Sequence, residues 1–192
     1  MQTAISTSIT DRATQERWLQ RYYFTRAGFS IAWILIAVNA MRHGWGIEGL
    51  LLVCYPAWDA LANLADGSRS GGLSGNRAQA VNVVVSLAVA TAVAIALPDM
   101  HRVLAVFGAW AILSGLLQLG AALGRWKTSG AQWAMVLSGA QSALAGAFFI
   151  FQAGQPAMPS IATVTGYAGF GAFYFLVSAL WLSVGALRRK NA

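Results

Sequence analysis

The sequence predicts an all-α integral membrane protein: six transmembrane helices arranged as three parallel hairpin repeats, preceded by a short interfacial helix. Three observations predict it. Hydrophobic residues make up 57% of the chain and charged residues only 10%, where a soluble domain carries about a quarter charged residues. Apolar runs of about twenty residues, the length that crosses a hydrocarbon core of about 30 Å, recur along the chain. One pattern also returns twice. Phe107, Gly108, Ala109 and Trp110 with Leu113, Leu116 and Leu117 are matched by Tyr55, Ala57, Trp58, Leu61 and Leu64, and again by Phe170, Gly171, Ala172, Phe173, Leu176 and Leu180. The later match extends to the flanking cations, Arg125 and Lys127 against Arg188 and Lys190. Such self-similarity marks a repeated supersecondary unit that cannot bury its faces without its neighbours.

Composition removes several function classes. The net charge is +7, but the cations lie between apolar spans, with no basic face interleaved with aromatics, which argues against nucleic acid. The single cysteine, Cys54, excludes an intramolecular disulfide or a cysteine metal cluster and reads as a small apolar helix residue. Asp11, Glu16 and four arginines precede the first apolar run, a pattern unlike a secretory signal, so the first span is expected to stay as an uncleaved anchor.

Taken in order, residues 1–23 form a cytoplasmic tail, disordered to about residue 8. A helix is expected to start near Ser8, with Asp11 completing a capping box. Trp18 with Tyr22 and Leu19 with Tyr23 fall one turn apart, away from Arg17 and Arg21, the make-up of an interfacial helix. The membrane domain covers 24–188, with hairpins at about 24–65, 78–124 and 131–187, and 189–192 return to the cytoplasm. Span one, about 24–41, is short for a bilayer. Arg42, His43 and Trp45 mark a turn before span two, about 47–65. Residues 66–77 have the glycine-serine composition of an aqueous loop. Span three, about 78–97, stops at Pro98 and Asp99; span four runs from about 102 to 124. Arg125, Trp126 and Lys127 anchor the interface before span five, about 131–151. A turn with Pro156 and Pro159 precedes span six, 161 to about 187.

Counting cations by side supports this layout. Arg12, Arg17, Arg21, Arg26, Arg69, Arg77, Arg125, Lys127, Arg188, Arg189 and Lys190 share one side, and Arg42 and Arg102 stand alone on the other. By the positive-inside rule both termini are cytoplasmic. All three hairpins then enter from the same side, so the repeats are parallel, an arrangement compatible with a transporter or with an inert bundle.

Helices in lipid associate where small residues let backbones approach. Two stripes on span five, Ser138, Ser142, Gly146 and Gly139, Ala143, Ala147, are expected contacts, as are Gly120 and Gly124 at GxxxG spacing on span four.

No GxSxG elbow, HExxH, Walker loop or dinucleotide fingerprint is present, so no enzyme, metal or cofactor is expected. His43 and His101 sit at span ends as solvated interfacial groups. Asp59 reads as the only carboxylate embedded in a helix, and an acid there is costly enough to suggest a role. Its counterparts in the repeats are Ala111 and Tyr174. Asn63 follows Asp59 by one turn, and Asn82 and Ser86 have the same spacing on span three. In an antiparallel pairing Asp59 faces Ser86 when Asn63 faces Asn82. Gln118, Gln132 and Gln141 add amides in spans four and five. These groups either bind the bundle through interhelical hydrogen bonds or line a path for protons or a small solute.

The three-hairpin layout, the segment 107–115 (FGAWAILSG) and the serine-glycine helix 133–139 (WAMVLSG) ending before prolines together resemble the HdeD-like family of small bacterial membrane proteins. The resemblance covers roughly residues 22–188. It implies a multi-pass protein of the bacterial inner membrane, of structural or stress-response type with acid resistance as the known theme, and it carries over no catalytic residue. The lipid bilayer is the expected partner, with homo-oligomerisation left open and any solute unidentified.

Overall fold

A computed structural model describes the backbone of residues 2–69, 72–124 and 132–190, and the side chains of 14–69, 72–120 and 136–189. The described chain is helical throughout: α1 (Gln2–His43), α2 (Glu48–Arg69), α3 (Gly72–Gly75), α4 (Arg77–Ala96), α5 (Met100–Gly124), α6 (Gln132–Ala153) and α7 (Ile161–Lys190). Five of these hold stretches long and apolar enough to cross a membrane: Thr14–His43, Arg77–Ala96, Met100–Gly120, Val136–Ala153 and Ile161–Arg189. The protein is therefore a multi-pass helical membrane protein. α2 is comparably long but less apolar, because Glu48, Asp59, Asn63, Asp66 and Arg69 all lie within it.

Local chemistry sets the boundaries. Gly44 and Gly46 take positive φ of 61° and 69° to turn the chain between α1 and α2, a conformation that costs glycine nothing. Asn76 caps α4, its side-chain oxygen accepting from the Gln79 backbone N–H at 3.3 Å. Pro98 follows the end of α4. Asp99 then opens α5, accepting from the backbone N–H groups of His101 at 2.9 Å and Arg102 at 3.4 Å and pairing with the Arg102 guanidinium at 3.2 Å. Ser160 caps α7 through the Ala162 N–H at 3.3 Å.

Two expectations at the ends of elements are corrected. α1 is one unbroken helix from Gln2, so Ser8 does not start it and the interfacial segment is continuous with the first span. No proline or glycine stands between residues 2 and 27 to interrupt the hydrogen-bond ladder. The loop expected at 66–77 is also shorter. α2 continues through Asp66 to Arg69 and α3 fills 72–75, because Asp66 and Gly67 are buried. The Arg125–Lys127 anchor lies outside the described residues, as do the side chain of Gln132 and the surroundings of Gly124.

The chain forms two compact units, Met1–Leu35 with Ala168–Ala192, and Ile36–Tyr167. In the first, Tyr23 stacks on Phe175 with centroids 6.2 Å apart. The Arg26 guanidinium lies 4.3 Å over the Phe175 ring and donates to the Tyr22 hydroxyl at 2.9 Å, a cation held by aromatic faces. Arg189, near the end of α7, pairs with Glu16 of α1.

In the second unit α5 packs most extensively on α6, and α2 on α4, with a lesser contact between α4 and α5. The closest pairs thus straddle the hairpins read from the repeat. Large apolar side chains such as Ile95, Leu144 and Val84 are exposed, a surface suited to lipid.

Candidate functional site

The α5–α6 contact rests on glycine. A Cβ on Gly108 would lie 2.8 Å from the Gly146 carbonyl oxygen, and one on Gly146 would lie 2.5 Å from that of Gly108. Gly115 and Gly139 stand in the same reciprocal relation, at 2.5 and 2.8 Å. The two backbones touch, as small residues allow in lipid. Ala143 shares this face, its backbone nitrogen 2.6 Å from the position of a Gly115 Cβ. Gly139 and Gly146 therefore lie in this contact, whereas Gly120 is exposed and a Cβ there meets nothing within 4 Å among the described residues. The partners of Gly139 and Gly146 are spaced by two turns on α5, and Gly120 falls off that line. Ser138 is half-buried and Ala147 is exposed.

Ser142 does more than pack. Its hydroxyl lies 3.0 Å from the Ala111 carbonyl oxygen, to which it donates, and 2.8 Å from the Tyr167 hydroxyl. A serine holding a backbone carbonyl on one side and a phenol on the other joins α6 to α5 and α7. Tyr167→Phe removes only the outer bond, so thermal unfolding in detergent is expected to show a loss of about 0.6 kcal/mol, the usual size of an interhelical bond.

α2 and α4 are joined differently, through side chains. The Ser86 hydroxyl donates to Asp59 Oδ2 at 2.7 Å, as the antiparallel pairing predicts. Asn63 departs from expectation: its Nδ2 donates to the same Asp59 oxygen at 2.9 Å and to the Asp59 carbonyl at 2.8 Å, turning back along its own helix instead of reaching Asn82. Ser86 and Asn63 are 1% and 6% exposed, so these bonds are made away from solvent. Asn82 is half-buried on α4 between Gln79 and Ser86.

A second acid joins them. Asp66, read as a loop residue, is 8% exposed inside α2, and its Oδ2 accepts from Gln79 Nε2 at 2.6 Å. Asp59 is therefore not the only carboxylate embedded in a helix. Asp59, Asn63 and Asp66 fall at i, i+4 and i+7, one face of α2, and Ser86 and Gln79 fall seven apart on α4 to meet the two acids. That seven-residue match was the available signal for Asp66. The glycine-serine run just after it outweighed it.

Aromatic groups border this ladder. Tyr55, one turn before Asp59, meets Trp110 edge-to-face at 6.4 Å, and Trp110 meets Phe107 at 5.9 Å. Tyr167 lies within electrostatic reach of both Tyr55 and Asp59. Gln118 and Gln141 are half-buried on α5 and α6. His43 stacks against Trp45 at 6.0 Å. His101 is half-buried, with Nδ1 3.1 Å from the Ala153 carbonyl at the end of α6. It is thus a bridge between helix ends, not a freely solvated group. Cys54 is exposed on α2.

Chemically, the arrangement offers two carboxyl groups, each met by a neutral donor from the facing helix. No family model matches the chain, and neither a curated protein nor a solved structure matches it.

Proposed function

We propose that this is a non-enzymatic membrane protein of structural or stress-response type, related to the HdeD-like family and acting in acid resistance at the bacterial inner membrane. It crosses the bilayer six times as three parallel hairpins, with both termini in the cytoplasm. The observation that carries this reading is the use of the polar side chains: Asp59 and Asp66 are bonded to Ser86 and Gln79 across a helix pair, so the costly groups of α2 serve to bind α4. The same ladder supports a sixth span. α2 has 22 residues, about 33 Å of helix, and its second half is bonded at Asp59 and Asp66 to α4, one of the five apolar helices.

Two experiments test the proposal. In a Cys54→Ser background, a cysteine at Gln155 is expected to react with an impermeant thiol reagent from outside intact cells, and one at Ser74 only after lysis; the opposite pattern reverses the topology. Deletion of the gene is expected to reduce survival after acid challenge, with rescue by the intact chain. Turnover of a small molecule by the purified protein, abolished by one substitution, overturns the non-enzymatic reading.

A second reading, a proton-linked transporter or channel for a small solute using Asp59, draws support from Asp66. A buried and a half-buried acid on one helix face are more than a single interhelical bond requires.

A further inference from the structure

Among the described residues, the second unit is unevenly polar along its length. Its bulkiest fully buried apolar side chains include Leu52 on α2, Val93 on α4, Val103, Leu104 and Phe107 on α5, and Val164 on α7. All six lie between the Asp59–Ser86 level and the end of the unit that carries Pro98. Toward the other end, where α3 sits, the facing positions of α2 and α4 hold Asn63, Asp66, Gln79 and Asn82. Val83, the bulkiest core residue of α4 on this side, is 9% exposed. Gln79 bonds Asp66 through its Nε2, but its Oε1 is buried with no hydrogen-bond partner. A buried acceptor without a donor is unfavourable, and water supplies the donor wherever it can enter.

We infer that water, and with it protons, reaches Asp66 and then Asp59 from the α3 end only, through a dead-end polar track between α2 and α4 that the apolar side chains seal at the Pro98 end. The inference rests on the reading of α2 and α4 as membrane helices. The geometry fits at each step. Gln79 and Asp66 stand nearest α3, Asn82 and Asn63 come one turn deeper, and Ser86 and Asp59 close the series. The titratable groups around the two acids are few. α2 itself adds Glu48 at the Pro98 end, the exposed Cys54, Tyr55 and Arg69, and α7 brings Tyr167. α4 has only Arg77 at its first turn, α5 only His101 and Arg102 at the Pro98 end, and α6 none. Along the track the carboxyls are the groups that exchange protons with the α3 side.

The track is tested by cysteine accessibility in sealed vesicles, starting from Cys54→Ser, with a charged impermeant thiol reagent added to either face. Ser74→Cys and Gln155→Cys identify the two faces. Asn82→Cys and Gln79→Cys are expected to react from the Ser74 face at least about tenfold faster than from the other, since a charged reagent does not cross hydrocarbon. Leu52→Cys and Val93→Cys are expected to react from neither. Reaction of Asn82→Cys and Gln79→Cys from the Gln155 face, or from neither face, overturns the track. Val84→Cys separates this from failure of the membrane reading: Val84 is exposed on α4, so it stays unreactive if α4 lies in lipid and reacts if it does not. The unsubstituted protein gives a check independent of any variant's folding. A water-soluble carbodiimide with an impermeant amine is expected to couple to Asp66 from the Ser74 face alone, and coupling from the Gln155 face contradicts the proposal.

Discussion

Gly115→Ala is expected to destabilise the protein by about 3 kcal/mol, at the upper end of what overpacking usually costs, while Gly120→Ala, one and a half turns away, leaves it unchanged or slightly more stable. Replacing a helical glycine by alanine ordinarily gains about 0.5–1 kcal/mol through backbone entropy. At Gly120 nothing opposes that gain, because the added Cβ meets nothing within 4 Å. At Gly115 the Cβ would sit 2.5 Å from the Gly139 carbonyl oxygen and 2.6 Å from the Ala143 nitrogen. Both are backbone atoms of α6 and cannot rotate aside, so the helices must separate along their contact. Unfolding in mixed micelles by a denaturing detergent measures the difference. Equal stability of the two variants would mean that α5 and α6 do not meet through Gly115 and Gly139.

Asp59→Leu is expected to weaken the bundle by about 2 kcal/mol, with Asp59→Asn within about 0.5 kcal/mol of the parent. The leucine leaves the Ser86 hydroxyl and the Asn63 amide, both buried, without the oxygen they share. Asparagine keeps a carbonyl in that place. Two effects oppose each other in the leucine variant, because an apolar residue also inserts into the membrane more readily than an acid. That benefit applies equally to dispersed helices, however, so insertion improves while association suffers. A double-mutant cycle with Ser86→Ala isolates the pair: a coupling of about 1 kcal/mol is expected, and simple additivity would show that the bond contributes nothing.

Helix positions were legible in the sequence because apolar run length is a strong signal in membranes. α4, α5, α6 and the start of α7 fall within two residues of the expected spans. Register between α2 and α4 was legible for the same reason that makes buried polar groups informative: few partners exist on largely apolar helices, so Asp59 and Ser86 at matching positions find each other. Asp66 was not legible, since the glycines and serines after it have the composition of a loop, and only the burial of Asp66 and Gly67 carries α2 onward. GxxxG spacing misled at Gly120. The contact runs instead through Gly108 and Gly115 against Gly139 and Gly146, glycines seven apart that stay level across an antiparallel pair. The repeated sequence pattern gave no partner choice, and the most extensive contacts, α2 with α4 and α5 with α6, join helices that the pattern assigns to different hairpins. Ser86 donates to the side chain of Asp59, and Ser142 donates to the backbone of Ala111, the residue at the corresponding position.

Proton flux through the purified protein tests most directly whether the polar ladder binds helices or carries ions. Wild type and Asp59→Asn would be reconstituted into liposomes holding a pH-sensitive dye, and one face acidified. A ladder that binds α2 to α4 and is sealed at the Pro98 end gives no flux above protein-free liposomes in either protein, with or without candidate solutes. Flux in wild type that Asp59→Asn abolishes while remaining folded would contradict it and make Asp59 a proton carrier.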